Sequence, residues 1–389
     1  MQWLVWVSAF GYFVDVYDLL LFSIVRVESL RTIGVPEQLF LSTGVQLINL
    51  QMLGILIGGV LWGLLGDRKG RVSVLLGSIL LYSVANLLNA FVSDVTTYGV
   101  LRFFAGLGLA GELGAAITLV AESLSIQKRS YGAMVVAGIG LLGAVAAGLA
   151  AEFLPWRVCY ALGGIMGLLL LLGRWKLQES MLFLKQKRHR FVFTPTLVWR
   201  YLRTVTVGIP LWFTSGLLIT FAPEFAKALK VEGTLKVGRA VLICYGCASF
   251  GDVAAGWLSL KLQSRKKTIA LFMLGTLAAS AMFLTSIGWS ASAMYALFGL
   301  MGFAGGYWAM FVLQGSEQFG TNIRSTVTVS LPNMVRGAVV VMTLSFQSLT
   351  PAYGVVKAAT LVGITVLAVA YASLFSLPET FSRNLDFSE

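Results

Sequence analysis

The sequence predicts an all-α membrane protein with twelve transmembrane helices in two pseudo-symmetric six-helix bundles, and three observations support this fold class. Hydrophobic residues make up 57% of the 389 residues and charged residues only 12%, whereas soluble domains carry about 25% charged residues. Cutting the chain at its charged and proline-bearing breaks leaves twelve apolar segments, each near the roughly 20 residues that cross a bilayer core of about 30 Å. Short motifs also recur almost half a chain apart.

The first predicted helix is a retained membrane helix rather than a signal peptide. Its opening stretch has no basic region, and Asp15 and Asp18 interrupt the apolar run. The predicted helices lie near residues 3–25, 42–65, 73–93, 97–121, 131–153, 157–174, 203–224, 238–260, 268–287, 292–315, 328–351 and 355–377.

The second predicted helix carries the most distinctive pattern. Gly54, Gly58, Gly59 and Gly63 lie on closely related faces, a spacing that lets two membrane helices approach closely. The helix is predicted to end in a tight basic loop over residues 67–71, DRKGR. Such a loop cannot lie in hydrocarbon, and its positive charge indicates the cytoplasmic face.

The later loops predict the orientation and the domain division. With both termini in the cytoplasm, the cytoplasmic loops and the C-terminal tail hold 19 of the 29 Lys and Arg residues, and the external loops hold eight. This asymmetry favours that orientation. The sequence predicts an N-terminal bundle over 1–174, a cytoplasmic linker over 175–202 and a C-terminal bundle over 203–389. The basic linker is interpreted as a solvated segment, with anionic lipid as an alternative partner.

An internal repeat relates the two halves. Glu122 precedes Arg129 by seven residues, Glu317 precedes Arg324 by seven, and the two pairs are 195 residues apart. Parallel halves related by an axis along the membrane normal are the expected architecture.

The composition excludes several other classes of protein. A single His and three Cys cannot build a His-rich metal site or a disulfide framework, so no metal or cofactor is predicted. Cys244 and Cys247 form a CxxC motif inside an apolar helix, where a contact of small residues is favoured over a redox or metal role. The net charge of +12 is explained by membrane topology, not by nucleic-acid binding.

Four ionisable residues inside predicted helices of the N-terminal bundle are singled out as candidates: Asp15, Asp18, Arg102 and Glu112. An ionisable side chain at the bilayer centre costs ~2.5 to 3.5 kcal/mol, so each is a functional candidate. At 1.5 Å per residue, Asp18 lies about 22 Å above the cytoplasmic end of its helix and Arg102 about 8 Å below the external end of its own. These depths agree in a span of about 30 Å, so an ion pair between the two residues is geometrically allowed.

Several motifs together carry a family resemblance. GILIGGVLWGLLGDRKGR, RFFAGLGLAGE, ES followed by KRSYGA, SEQFGTNIRST and the terminal LPETF resemble the major facilitator superfamily of secondary transporters, in particular its sugar-porter and metabolite:proton symporter branches. The similarity spans nearly the whole chain. One departure is Leu260, which stands where the first copy of the basic loop has Asp67. The resemblance implies the major facilitator fold, a monomer and a multi-pass protein of the bacterial inner (plasma) membrane.

The resemblance also implies roles for the buried charges. Asp18 and Glu112 match proton carriers, Arg102 matches the switch partner, and Asp15 is a further acidic candidate on the face of Asp18. A carboxylate beside Arg is held ionised, whereas separation from Arg in a desolvated cavity favours the protonated form. The alternative is a permanent buried salt bridge that only positions two helices.

In the C-terminal bundle, Arg336 is the candidate for binding an anionic substrate. A buried guanidinium group favours a bidentate anion such as carboxylate or phosphate, and pairing with Asp252 is the alternative. The other substrate-binding candidates are Asn333, Gln314, Tyr12, Trp212, Tyr245 and Trp308, with Thr214 and Ser215 as further cavity candidates; ordinary helix packing is the alternative for each.

Charged residues at the predicted cytoplasmic helix ends are implied by the resemblance to form gate salt bridges: Asp67, Arg68, Arg71, Glu122, Arg129, Glu317 and Arg324. Positive-inside topology alone explains the basic residues of this set but not the three acidic residues at matched spacings.

These observations predict a proton-coupled symporter, not an enzyme, that moves a small polar, anionic metabolite by alternating access. Its predicted partners are the substrate, protons and the lipid bilayer. A proton-coupled exporter of drugs or siderophore-like compounds, a uniporter or exchanger, and a nontransporting nutrient sensor stay open as alternatives. An intramembrane enzyme would need a nucleophile with a base or metal ligands at one depth, which the single loop His189 does not supply.

Overall fold

The computed structural model of the chain describes residues 2–112, 114–116, 119, 126–174 and 194–381, without the side chains of 2, 67–68, 126–135, 137, 321–322, 324–325 and 328–329. The first six long helices are α1 (Gln2–Thr32), α2 (Phe40–Lys69), α3 (Arg71–Asn89), α4 (Val95–Leu109), α5 (Ile126–Phe153) and α6 (Trp156–Arg174). They are followed by α7 (Pro195–Trp212), α8 (Val237–Leu262), α9 (Arg265–Thr285), α10a (Ala291–Gly305) and α10b (Trp308–Glu317). The last helix, Thr321–Ser376, is broken at Gly354 into α11 (321–353) and α12 (355–376).

The helices correspond to the predicted transmembrane segments. In the described part of the chain, ten helices are long and apolar enough to cross a membrane when residues 330–376 count as one, and α5 contains a shorter apolar stretch, Gly138–Phe153. Because Gly354 (φ 74°) divides the last helix, each of the twelve predicted segments has a helical counterpart. Helix α7 begins at Pro195, inside the predicted linker, because the Thr194 side chain caps its first turn and proline is favoured at that position.

The prediction of a five-residue loop after α2 is wrong. Helix α2 continues to Lys69 and α3 begins at Arg71, so Gly70 is the one residue between them. Gly70 has φ 95° and ψ 165°, a conformation that glycine adopts without the steric cost that a Cβ would add. The chain therefore reverses at a single glycine, and the basic residues around it lie at two helix ends.

The chain divides into two compact units, Met1–Arg188 and His189–Glu389. In the first unit, α1 packs on α5, α2 on α4, and α3 on both α4 and α6. In the second unit, α8 and α9 both pack on α10a, as α2 and α3 pack on α4, and the helix that contains α11 and α12 packs on α7. The helix pairing inside each unit thus repeats, as the sequence periodicity predicts.

Glycines allow the closest of these helix crossings. A Cβ at Gly54 would overlap the carbonyl oxygen of Phe103, and one at Gly58 would overlap that of Leu107, whereas Gly63 has no atom within 4 Å. Two of the predicted packing glycines therefore lie at the α2–α4 crossing, and Gly63 does not.

The CxxC cysteines lie at the equivalent crossing of the second unit. A Cβ at Gly302 of α10a would overlap the Cys244 carbonyl oxygen, and one at Gly299 would lie 3.3 Å from Cys247 Sγ. Both cysteines are free thiols. Their position at a contact between α8 and α10a agrees with the small-residue interpretation.

Both units contain an interrupted helix at matching positions. The helix that begins with α4 is interrupted at Ala110–Gly111 and is helical again at Glu112, while α10a and α10b are separated by Gly306–Tyr307. Gly111 and Gly306 are 195 residues apart, the spacing of the sequence repeat. These interruptions place Glu112 and Trp308 at the start of a second helical segment.

Candidate functional site

Five ionisable side chains form the buried polar centre of the N-terminal unit. Asp15, Asp18, Arg102 and Glu112, all predicted as site residues, have 0% exposure, and so has Arg174. Because charged residues are almost never fully buried unless they are paired, the contacts of each one decide what the centre can do.

Arg102 is held mainly by neutral groups. Its Nη1 donates a hydrogen bond to Asn86 Oδ1 at 3.3 Å. Its guanidinium carbon lies 5.4 Å from the centre of the Phe22 ring and 5.5 Å from that of Tyr160, within cation–π distance. No described residue accepts a hydrogen bond from its Nε or Nη2. The guanidinium group thus keeps unused donors while it is desolvated.

Asp18 lies beside Arg102 but does not bind it directly. The two side chains interact electrostatically, and Asn86 is close to both. Among the described residues, neither carboxylate oxygen of Asp18 has a hydrogen-bond partner of ordinary geometry. The backbone of Gly163 lies against Asp18 Oδ1, where a Cβ would overlap it. The structure therefore places the predicted pair side by side with Asn86 as the shared neighbour.

Glu112 forms a bidentate ion pair with Arg174, the last residue of α6. Arg174 Nη1 donates to Glu112 Oε2 at 2.7 Å, and Nη2 donates to Oε1. The guanidinium group also approaches the carbonyl oxygens of Val7 (3.4 Å) and Leu75 (3.5 Å). Glycine at position 11 leaves room for the pair, because a Cβ there would overlap both charged groups. The pair joins α6 to the second segment of the α4 helix where α1 passes over them.

Asp15 and Tyr82 connect the two groups of charges. Asp15 interacts electrostatically with Asp18 and with Arg174. Tyr82 of α3 is fully buried and interacts with Glu112, Arg174 and both aspartates. Within the described part of the N-terminal unit, three carboxylates and two guanidinium groups therefore form one continuous polar centre, with Tyr82 and Asn86 of α3 along its side.

Three members of this centre were not among the predicted site residues: Arg174, Asn86 and Tyr82. Arg174 is the last residue of the predicted N-terminal bundle, where positive-inside topology alone explains a basic side chain. For α3 a signal was present, since Tyr82, Asn86 and Asn89 are spaced by four and three residues on an apolar helix and all three are buried. That spacing places them on one helix face.

In the C-terminal unit, the predicted substrate residues Arg336 and Asn333 are 2% and 3% exposed and lie one turn apart on α11. Gln314 of α10b is fully buried, and no described residue is hydrogen-bonded to either of its amide atoms. These three side chains place a cation and two amides in the interior of the unit, where the unbonded Gln314 amide is costly.

The predicted aromatic candidates have mixed environments. Tyr12 and Trp212 are buried, Tyr245 and Trp308 are half-buried, and the Trp308 ring lies 5.6 Å from that of Phe311. Thr214 and Ser215 lie in a π-helical segment, Phe213–Ile219, that follows α7, and both hydroxyl groups donate to the Leu211 carbonyl oxygen. Single π-helical segments often occur at functional sites.

Asp252 of α8 has a structural contact of its own. Its Oδ1 accepts a hydrogen bond from the backbone N–H of Ala309, at 3.2 Å. The carboxylate thus lies at the N-terminus of α10b, where the helix dipole and the free N–H groups favour negative charge. This contact stabilises the N-terminus of α10b, at the break between α10a and α10b.

The predicted gate residues are described only in part. Glu317 pairs with Arg265 at 3.5 Å and accepts a hydrogen bond from Thr380 Oγ1 at 2.7 Å. Arg71 of α3 extends toward Gly66 of α2. Glu122 and the side chains of Asp67, Arg68, Arg129 and Arg324 lie outside the described residues, so the gate assignment stays a prediction.

The C-terminal segment is anchored on the first turn of α9 through Glu379. Its carboxylate accepts hydrogen bonds from the Ser264 hydroxyl group and from the backbone N–H groups of Arg265 (2.9 Å) and Thr380 (2.9 Å). Partial burial opposes the charged form, but these hydrogen bonds outweigh it and lower the pKa of Glu379. The anchor adjoins the Arg265–Glu317 pair.

Comparison with known proteins agrees with this architecture. The chain is 26% identical to the putative niacin/nicotinamide transporter NiaP of Bacillus subtilis (strain 168) over 294 residues, 72% of each chain. It is 29% identical to the 3-(3-hydroxy-phenyl)propionate transporter of Escherichia coli (strain K12), over 61% of this chain and 60% of that one. The structure of a D-xylose-proton symporter superposes with a TM-score of 0.77 at 17% identity, covering 99% of both chains.

The sequence profile of the Major Facilitator Superfamily matches residues 8–355, which is most of the chain. The repeated helix pairing, the matching breaks at Gly111 and Gly306, and the superposition over the whole chain all agree with that match. This chain is a multi-pass membrane transporter of small metabolites, not an enzyme, and it belongs to the Major Facilitator Superfamily.

Proposed function

We propose that this transporter is a proton-coupled symporter of a small metabolite that carries a carboxylate, with Asp18 as the proton-carrying group and Arg102 as its switch partner. The environment of Asp18 is the observation that carries the proposal. The carboxylate is fully buried, has no hydrogen-bond partner of ordinary geometry among the described residues, and lies beside an arginine that is held by Asn86 and two aromatic rings.

The contacts of the polar centre support proton uptake at Asp18. Glu112 is paired with Arg174, whereas neither carboxylate oxygen of the fully buried Asp18 has a hydrogen-bond partner of ordinary geometry among the described residues. A buried charge without a partner is costly, and a carboxyl group in that position is neutralised instead. Because Glu112 is bound by Arg174 on both oxygens, the proton goes to the aspartate side of the centre. The role of Glu112 as a proton carrier stays a prediction, and it would require Glu112 to be released from Arg174.

The substrate class rests on Arg336 and on the relatives. Niacin and 3-(3-hydroxyphenyl)propionate, named for two relatives, each combine an aromatic ring with a carboxylate. In the C-terminal unit, the Arg336 guanidinium group is buried, and a guanidinium group can bind a carboxylate through two hydrogen bonds. Gln314 and Asn333 supply amides, and Trp212, Tyr245 and Trp308 are the aromatic candidates for contact with a ring. We therefore propose small aromatic carboxylates as the first substrates to test.

Proton flux in proteoliposomes tests the coupling. Purified protein is reconstituted with a pH-sensitive dye inside, and niacin, hydroxyphenylpropionate, benzoate, xylose and amino acids are added outside. The expected result is acidification of the lumen with an aromatic carboxylate. Asp18→Asn is expected to abolish this flux and uphill accumulation while leaving counterflow of labelled substrate, because exchange needs no net proton transfer. Arg336→Gln is expected to raise the KM for carboxylates in counterflow.

Asp94→Asn is the matched control. Asp94 is an exposed residue that caps α4 through a 2.8 Å hydrogen bond from Thr97 N, and asparagine caps helices equally well. Substrate transport that proceeds without proton movement would overturn the coupling and indicate a uniporter or exchanger. Substrate efflux driven by proton entry would indicate an exporter. Unchanged accumulation in Asp18→Asn would exclude Asp18 as the carrier.

A further inference from the structure

A groove on the outer surface of the C-terminal unit lies between α9 and α12. It has a volume of about 860 Å³, and its lining includes residues at the helix ends that are predicted to be cytoplasmic. Its walls are apolar, from Leu271 and Leu274 of α9 and Phe375 of α12, which are 51%, 53% and 65% exposed. Its mouth is polar, with Lys266 and Lys267 at the start of α9.

We call this groove the α9–α12 groove. Its mouth is positively charged, and the nearby Glu379 carboxylate does not neutralise that charge. Lys267 is exposed, and no described carboxylate pairs with it. Lys266 Nζ donates to the carbonyl oxygens at the end of α12, at 3.0 Å for Phe375. The Glu379 carboxylate faces the groove but is occupied by hydrogen bonds from Ser264, Arg265 and its own segment.

Lys261 of α8 adds a third cation next to the groove. It follows Trp257 by four residues, about one helical turn, and its Nζ lies 5.1 Å from the centre of that ring. Trp257 is 61% exposed, as expected of an aromatic side chain at the level of lipid headgroups. Tyr371, half-buried in the groove wall, is a second such residue. These aromatics place the mouth at headgroup level and the walls at acyl-chain level.

The dimensions fit a lipid rather than a compact solute. Leu274 follows Lys267 by seven residues on one helix, which is about 10 Å along the axis at 1.5 Å per residue. A ligand that fills the groove must therefore be anionic at one end and apolar over the following turns.

We propose that the α9–α12 groove binds one anionic phospholipid, with its phosphate at Lys267 and Lys266 and its acyl chains along Leu271, Leu274 and Phe375. The headgroup then lies next to the segment in which Arg265 pairs with Glu317. Juxtamembrane lysines attract anionic lipid in the same way on other membrane proteins.

Native mass spectrometry of the full chain tests the proposal. Protein is released from nanodiscs that contain equal amounts of phosphatidylglycerol and phosphatidylcholine with identical acyl chains. The expected result is one retained phosphatidylglycerol, and about a tenfold loss of that adduct in Lys261→Gln/Lys267→Gln. The matched control is Lys227→Gln/Lys357→Gln, which removes two exposed lysines elsewhere in the same unit and is expected to retain the lipid.

Three results would overturn the proposal. Equal retention of the two lipids would show that charge does not select the ligand. Equal loss in both double variants would show a general effect of net charge. Displacement of phosphatidylglycerol by an equal concentration of glycerol 1-phosphate would indicate a site for a free phosphate ester that makes no use of the apolar walls.

Discussion

Glu112 and Arg174 form a bidentate ion pair in which both side chains are fully buried, and the pair joins α6 to the helical segment that follows α4. The residues are 62 positions apart in the chain. A buried pair gains little over well-packed apolar residues, but removing one partner leaves a charge without compensation. The pair is therefore expected to fix the position of one helix against the other. Removing one partner is expected to lower the unfolding free energy strongly.

Single substitutions in this pair should be far more damaging than the double substitution. Glu112→Gln or Arg174→Gln alone is expected to cost about 3–5 kcal/mol of unfolding free energy, because the remaining charge is buried without its partner. Glu112→Gln/Arg174→Gln should cost much less than the sum. Unfolding in mixed micelles, followed by tryptophan fluorescence, measures the three values. Additive effects would show that the two side chains do not depend on each other.

Gly11→Ala is expected to act on the same pair from α1. A Cβ at position 11 would overlap Nη2 of Arg174 and Oε1 of Glu112, so the added methyl group must push the charged groups apart. The expected result is a loss of thermal stability comparable with that of a single pair substitution. Gly138→Ala is the matched control, because no atom of the described residues lies within 4 Å of a Cβ there; it should raise stability by about 0.5–1 kcal/mol through helix propensity. Equal melting temperatures for wild type and Gly11→Ala would contradict the packing argument.

Hydropathy and the charged or proline-bearing breaks were sufficient to predict all twelve helices, because the bilayer imposes both length and composition on each segment. The positions of Asp15, Asp18, Arg102 and Glu112 inside apolar segments likewise predicted their burial. The partners of these residues could not be predicted. Arg174 resembles any basic residue at a helix end, and only the packing of α3 against α4 and α6 brings it to Glu112. The single-residue turn at Gly70 depends on one positive φ, which a basic, glycine-containing stretch does not reveal.

Asn86 is expected to control the strength of the interaction between the Asp18 and Arg102 side chains. Its amide oxygen accepts from Arg102 Nη1 at 3.3 Å while its side chain lies near Asp18. Asn86→Asp places a carboxylate at the same position and is expected to bind Arg102, so that substrate-driven proton flux is lost and counterflow persists. Asn86→Ala leaves Arg102 without this acceptor and should shift the pH profile of transport. Asn89→Ala, one turn further along α3, is the control. Identical pH profiles for wild type and both Asn86 variants would rule out this positioning role.

The anchoring of the C-terminal segment through Glu379 should weaken at acid pH but should not change around neutral pH. Its pKa is lowered below the usual 4.5, because hydrogen bonds from Ser264, Arg265, Thr380 and Phe381 outweigh the opposing effect of partial burial. A group whose pKa is lower in the folded state stabilises that state above its unfolded pKa, and the contribution disappears as pH falls through the folded value. Protection of the backbone amides of residues 379–381 from hydrogen exchange should therefore be constant from about pH 8 to about pH 5 and fall only once the pH drops below the usual Glu pKa of 4.5. Glu379→Gln should reduce protection throughout that range, since an amide cannot accept on both sides. Protection that declines already between pH 7 and pH 5, at about the ordinary pKa of His, would assign the anchor to another titrating group.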